Sequence, residues 1–137
     1  MLNNGAIAWK SRRQPTVTLS TMESEYVALT EATKELKWIR TLLSELGYSN
    51  DSVDSEPHTT LFSYNQSVIA QVANNFVSHA RAKHIDLRHH FVYEACAHRI
   101  IWVQYISTAS EMTADSLTKA LKHKKHEKCT ARLGMTP

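Results

Sequence analysis

HARAKHIDLRHHFVYE, residues 79–94, decides how the rest of the chain is read. It carries four of the eight histidines, His79, His84, His89 and His90, with Arg81, Lys83 and Arg88 among the apolar residues Ile85, Leu87, Phe91 and Val92. At about 100° per residue, Leu87, Phe91 and Glu94 fall on one side while Arg88 and His89 turn elsewhere, so the spacing predicts a helix. Lys83 shares the Leu87 side. A zinc set drawn from His79, His84, His89, His90, Cys96 and His98 is disfavoured by the same geometry. Five-residue steps rotate successive side chains by about 140°, so they diverge, and His84 and His89 suit capping, packing or phosphate contacts better.

Downstream, IIWVQYI at 100–106 is the strongest β signal, rich in isoleucine, valine and aromatic residues. Thr108 to Glu111 then turns the chain into a helix around Ala114 to Leu121, and Lys122 to Gly134 reads as a basic helical segment with Leu133 as its late apolar contact. Upstream, TTLFS at 59–63 reads as a buried strand and Asn65 to Ala73 as a short helix capped near Asn65. SNDSVDSEPH at 49–58 is a polar, acidic loop.

Ser20 opens a long helix that runs to about Leu46, with Gly47 as the stop. Ser20-Thr21-Met22-Glu23 fits a capping box, which assigns Glu23 a structural role. Glu25 shares its azimuth with Leu29, Ala32 and Leu36, so a carboxylate lies in the apolar stripe and needs a hydrogen bond, a counter-charge or a cation. A half-exposed residue favoured by the positive end of the helix dipole is the plainer alternative. AIAW and TVTL, within residues 5–19, read as one or two short strands, with Pro15 at a strand start, edge or bulge. Strands and helices thus alternate, which indicates an α/β fold.

With 137 residues, 42% hydrophobic and 21% charged, and without internal repeats, the chain has the composition of one globular domain over residues 1–137. No apolar run approaches the ~18 residues of a membrane span, and residues 1–8 lack the pattern of a secretory signal. A soluble, cytoplasmic or nuclear protein is expected, with no membrane partner and with Cys96 and Cys129 as free thiols. The net charge of +3 is unevenly spread: residues 23–56 carry −5, whereas residues 81–132 carry +5. The basic half has the charge to meet phosphates, through Arg81, Lys83, His84, Arg88, Lys124 and Lys125.

Three blocks carry a resemblance. TVTLSTMESEYVAL at 16–29, HARAKHIDLRHHFVYE, and YISTASEMTADSLTKAL at 105–121 occur in family order. Together they resemble the ribonuclease H domain that ends the polyprotein of copia-type LTR retrotransposons, from about Gly5 to Met135. The resemblance implies a ribonuclease H-like mixed sheet with flanking helices and a magnesium- or manganese-dependent activity on RNA/DNA hybrid. Glu25 matches one of the four acids that hold two metal ions in the family, and Asp115 matches the last. Read from spacing alone, Asp115 is an exposed residue that pairs with Lys119 one turn later.

The resemblance also departs from the family in two places. Within FSYNQS the family usually has aspartate where this chain has Tyr64, and tyrosine, neutral near pH 7, does not supply the hard anionic oxygen that magnesium favours. The family's first two strands, one bearing the first acid, precede the block that begins here at Gly5. The expectation is a truncated, degenerate domain that leaves a sheet edge unpaired, is inactive alone and at most binds nucleic acid. The alternative is an interaction module that pairs through that edge, by self-association or with a strand-supplying partner.

Overall fold

A computed structural model describes residues 5–14, 17–18, 20–48, 58–74, 83–107 and 112–135. These residues form four α-helices and a two-stranded parallel sheet, an α/β architecture. They divide into two compact units, Val17–Tyr105 and the two chain ends, Met1–Thr16 with Ile106–Pro137.

The central unit begins with helix α1, Thr21–Glu45. Its ends form where the capping residues dictate. Ser20 is the N-cap, and its side chain accepts the Glu23 amide at 3.1 Å. At the other end Gly47 takes φ 81°, and its amide donates to the Ser44 carbonyl (3.0 Å) while that of Tyr48 donates to Leu43 (2.8 Å). This paired closure needs a left-handed residue, which glycine adopts without a Cβ penalty. A Cβ at Gly47 would meet nothing within 4 Å. Gly47→Ala is therefore expected to cost about 1 kcal/mol through backbone conformation alone, read as a lower urea midpoint; a loss of several kcal/mol would mean that packing contributes.

Strand β1, Thr59–Ser63, is followed by α2, Gln66–Asn74, and α3, Lys83–Ala97, before strand β2, Ile101–Tyr105, returns parallel to β1. Asn65 Oδ1 accepts the amides of Ser67 (3.0 Å) and Val68 (3.3 Å) and so caps α2. In register, Leu61 faces Val103, and Thr60 faces Trp102. Side chains alternate along a strand, so Leu61, Ile101 and Val103 point to one face, where they pack with Tyr26 and Leu29 of α1, Val68 and Val72 of α2, and Val92 and Ala95 of α3. The opposite face shows Phe62 at 55% exposure and Trp102 at 58%. TTLFS is therefore a half-buried strand rather than a buried one, because helices cover a single side of it.

Two further expectations change. The buried side of α3 is made by Val92 and Ala95, with Phe91 and Cys96 at its margin, while Leu87 is 73% exposed and Glu94 is exposed. The helix continues to Ala97, and its inward sector is centred roughly 100° away from the Leu87–Phe91–Glu94 line. AIAW forms no strand among the described residues, whereas TVTL lies partly outside them; of its described residues Val17 is 90% exposed.

In the unit made from the chain ends, the segment expected as a helix at 114–121 is a short 3-10 turn, Thr113–Leu117. The hydroxyls of Ser116 and Thr118 donate to the carbonyls of Thr113 (2.8 Å) and Asp115 (3.2 Å), offering the backbone local bonds that compete with helix propagation. Helix α4, His123–Arg132, follows and buries Cys129, whose thiol lies 4.0 Å from the Met112 carbonyl. The N-terminal segment joins this unit through the Ala6 amide to the Leu133 carbonyl (3.2 Å) and Ser11 Oγ to the Leu117 carbonyl (2.7 Å).

Candidate functional site

Parallel strands present the chain turn at their carboxyl ends, where an α/β fold commonly places its chemistry. Tyr64 leaves β1 at that end, and Ser63 Oγ accepts the Asn65 amide at 3.2 Å, turning the chain toward α2. From this position the Tyr64 hydroxyl donates a hydrogen bond to Glu25 Oε1 on the second turn of α1. Two residues that are 39 positions apart in sequence are thereby brought together.

The partner that the azimuth of Glu25 demands is thus a phenol. Glu25 is half-buried, at the margin of a stripe whose deepest polar members are Thr33, Thr30 and Glu23. The threonines satisfy themselves by donating to carbonyls one turn back, Thr33 to Leu29 and Thr30 to Tyr26, each at 2.8 Å. Burial of Glu23 at 8% exposure places the capping residue, rather than Glu25, on the inward face. Burial raises the Tyr26 hydroxyl well above its ordinary pKa, with the nearby Cys96 adding to the effect, and it also raises the Cys96 thiol. Both groups are held in their neutral forms.

Asp115 belongs to the unit formed by the chain ends and has its own surroundings. Its side chain is 6% exposed, and each carboxylate oxygen holds an ammonium: Lys119 Nζ at 3.1 Å on Oδ1 and Lys125 Nζ at 2.9 Å on Oδ2. The pair with Lys119 forms as the spacing predicts, but on a buried carboxylate and together with a second lysine that no local spacing announces. Burial pushes the Asp115 pKa up; the hydrogen bonds and charges of Lys125 and Lys119 outweigh it and hold the group below its ordinary value. The Asp115–Lys125 pair also fastens the 3-10 turn to the first turn of α4.

Of the basic residues singled out from the sequence, Lys124 is exposed, Lys125 is turned in to Asp115, and Arg88 is half-buried on α3. Arg81 lies outside the described residues, as do the side chains of Lys83, His84 and His89. Among the described residues no three of His, Cys, Asp and Glu converge as a metal-binding group. Cys96 and Cys129 are free thiols. No described helix is long and apolar enough to cross a membrane.

The chain is 39% identical over 133 residues to the retrovirus-related Pol polyprotein from transposon TNT 1-94 of Nicotiana tabacum, covering 97% of this chain and 9% of that protein. It is 30% identical to the corresponding polyproteins from transposons RE2 and RE1 of Arabidopsis thaliana, in each case over 98% of this chain and 9% of the relative. No family model and no solved structure matches. The chain thus spans about a tenth of the length of these relatives, and it is homologous, over nearly all its residues, to a segment of the retrovirus-related Pol polyproteins of transposons.

Proposed function

We propose that this chain is a ribonuclease H-like domain of retroelement origin that has kept the positions of a nuclease site without its chemistry, and that it binds nucleic acid rather than cutting it. The observation that carries this reading is the hydrogen bond from Tyr64 to Glu25. A second carboxylate at position 64 would add negative charge and another hard oxygen for magnesium; a phenol donor instead takes up a lone pair of the acid that remains. Asp115 is similarly committed, each oxygen bearing a lysine. Two-metal phosphodiester cleavage needs shared carboxylates to hold the ions about 4 Å apart; Glu25 already accepts a phenol and Asp115 two ammoniums, so neither carboxylate is an open ligand for that task.

The test is cleavage of a labelled RNA/DNA hybrid with magnesium or manganese, run beside Glu25→Gln and Tyr64→Asp. No cleavage above background is expected from the wild-type chain, and little from Tyr64→Asp, because Asp115 stays paired with its lysines. Metal-dependent cleavage by the wild type that Glu25→Gln abolishes would overturn the proposal.

The Phe62 and Trp102 face favours a second reading, an interaction module in which a partner strand or another copy joins the sheet beside these exposed side chains. A concentration-dependent mass in size-exclusion chromatography with light scattering, lost in Phe62→Ser/Trp102→Ser, would support it over the first.

A further inference from the structure

The charge of this protein segregates by unit. The unit built from the two chain ends holds nine Lys and Arg residues against three Asp and Glu, a net +6, whereas Val17–Tyr105 holds seven against ten, a net −3. Lys83 and Arg88 on α3 therefore stand in the acidic unit although they belong to the basic half of the sequence. Conversely Lys10, Arg12 and Arg13, some hundred positions from α4 in the chain, belong to its unit.

The way they arrive there is specific. Ala6 bonds to Leu133 at the end of α4, and Ser11 to Leu117, in the turn that Asp115 and Lys125 fasten to the start of α4. Five residues reach at most about 18 Å, and a ten-residue helix is about 15 Å long, so the segment is long enough to run along α4 in the opposite direction, from Leu133 back to the turn before it. Ser11 thus holds its neighbours Lys10, Arg12 and Arg13 at the end where Lys122 enters the helix, and all four are exposed. Along α4 itself Lys125 and Cys129 turn inward one helical turn apart, which leaves Lys124 and Lys128, also one turn apart, on an exposed flank.

We infer that the phosphate-binding surface of this protein is the one assembled from Lys10, Arg12 and Arg13 together with Lys122, Lys124 and Lys128, and that its ligand is the backbone of a nucleic-acid duplex. The inference rests on the nucleic-acid reading proposed above and names the surface responsible. Several exposed cations on a scaffold about 15 Å long match a ladder of phosphates, and neutralising each releases counterions. A membrane surface fits less well: an interfacial helix needs an apolar face, and the exposed residues of α4 include no large apolar side chain.

The experiment is fluorescence anisotropy of an 18-base-pair labelled RNA/DNA hybrid with the full chain, titrated between 50 and 200 mM salt. K10E/R12E/R13E is expected to weaken binding about tenfold or more and to lower the log–log salt slope by about 2 to 3, since each lost phosphate contact removes nearly one. K124E/K128E, whose positions bear no part of the Asp115 pairing, provides an independent arm with a loss of about fivefold or more. K83E/R88E should change affinity less than about twofold, because these residues stand on α3 in the acidic unit. Circular dichroism confirms that each variant is folded. Undiminished binding in both of the first two variants, or a collapse of binding confined to the third, would overturn the inference, as would binding to phosphatidylserine vesicles in place of the hybrid. Hybrid cleavage by the wild type would instead overturn the proposed function and leave this surface standing.

Discussion

Ile101→Ala is expected to lower stability by about 2 to 5 kcal/mol, while Trp102→Ala, the very next residue, should cost about 1 kcal/mol or less. The contrast follows from the face each occupies. Ile101 is 1% exposed at the start of β2, in the cluster with Val68, Val92 and Ala95, so truncation leaves a cavity that a two-stranded sheet backed by three helices is poorly placed to close. Trp102 points away from that cluster, 58% exposed, with the His58 ring at 6.0 Å between centroids. Set against a typical total of about 5 to 15 kcal/mol, the first loss is a large fraction of what holds the central unit together. Urea denaturation followed by far-ultraviolet circular dichroism measures it. Equal losses for the two variants would mean that the outer face of the sheet is covered in solution, as the interaction-module reading requires.

Asp115→Asn is expected to release α4 from the 3-10 turn, at a cost of about 1 to 3 kcal/mol near pH 7. A fully buried pair would lose about 3 to 5 kcal/mol when one partner is removed. Here Lys119 is 56% exposed and Lys125 28%, so both ammoniums can recover hydration and the figure is reduced accordingly. Folding lowers the pKa of Asp115, so the ionised carboxylate stabilises the unit above its ordinary value of 3.8, and this contribution is lost as pH falls below 3.8 through the lower folded value. Hydrogen exchange of the α4 amides should therefore accelerate in the wild type below about pH 4, after correction for intrinsic exchange. The Asp115→Asn variant should show faster exchange at neutral pH without that acid step. An unchanged acid step in the variant would assign it to another carboxylate.

Local chemistry was legible in the chain. Ser20 and Gly47 bound α1, Asn65 caps α2, and TTLFS and IIWVQYI become β1 and β2, because caps, left-handed stops and β-branched runs act over a few residues and require no distant partner. The resemblance carried by three sequence blocks likewise pointed to retrotransposon polyproteins, and the homologues are retrovirus-related Pol polyproteins of transposons. The α/β class followed from the alternation of these elements.

Faces, partners and charge neighbourhoods were decided only by the tertiary structure. Which side of α3 is buried depends on where β2 and α1 lie, so Val92 and Ala95 are inside and Leu87 is not. The helical azimuth of Glu25 called for a partner, but only the turn after β1 could supply Tyr64, 39 residues away. Asp115 pairs with Lys119 by local spacing and with Lys125 by the packing of α4. Charge offers the plainest case: summed along the sequence it assigns Arg81 to the basic half and Lys10 to a separate patch, whereas Ser11 and Ala6, by bonding to Leu117 and Leu133, gather the basic residues of both ends into one unit. Electrostatic fields add in space rather than along the chain, so the sequence determined how much charge there is and the fold determined where it acts.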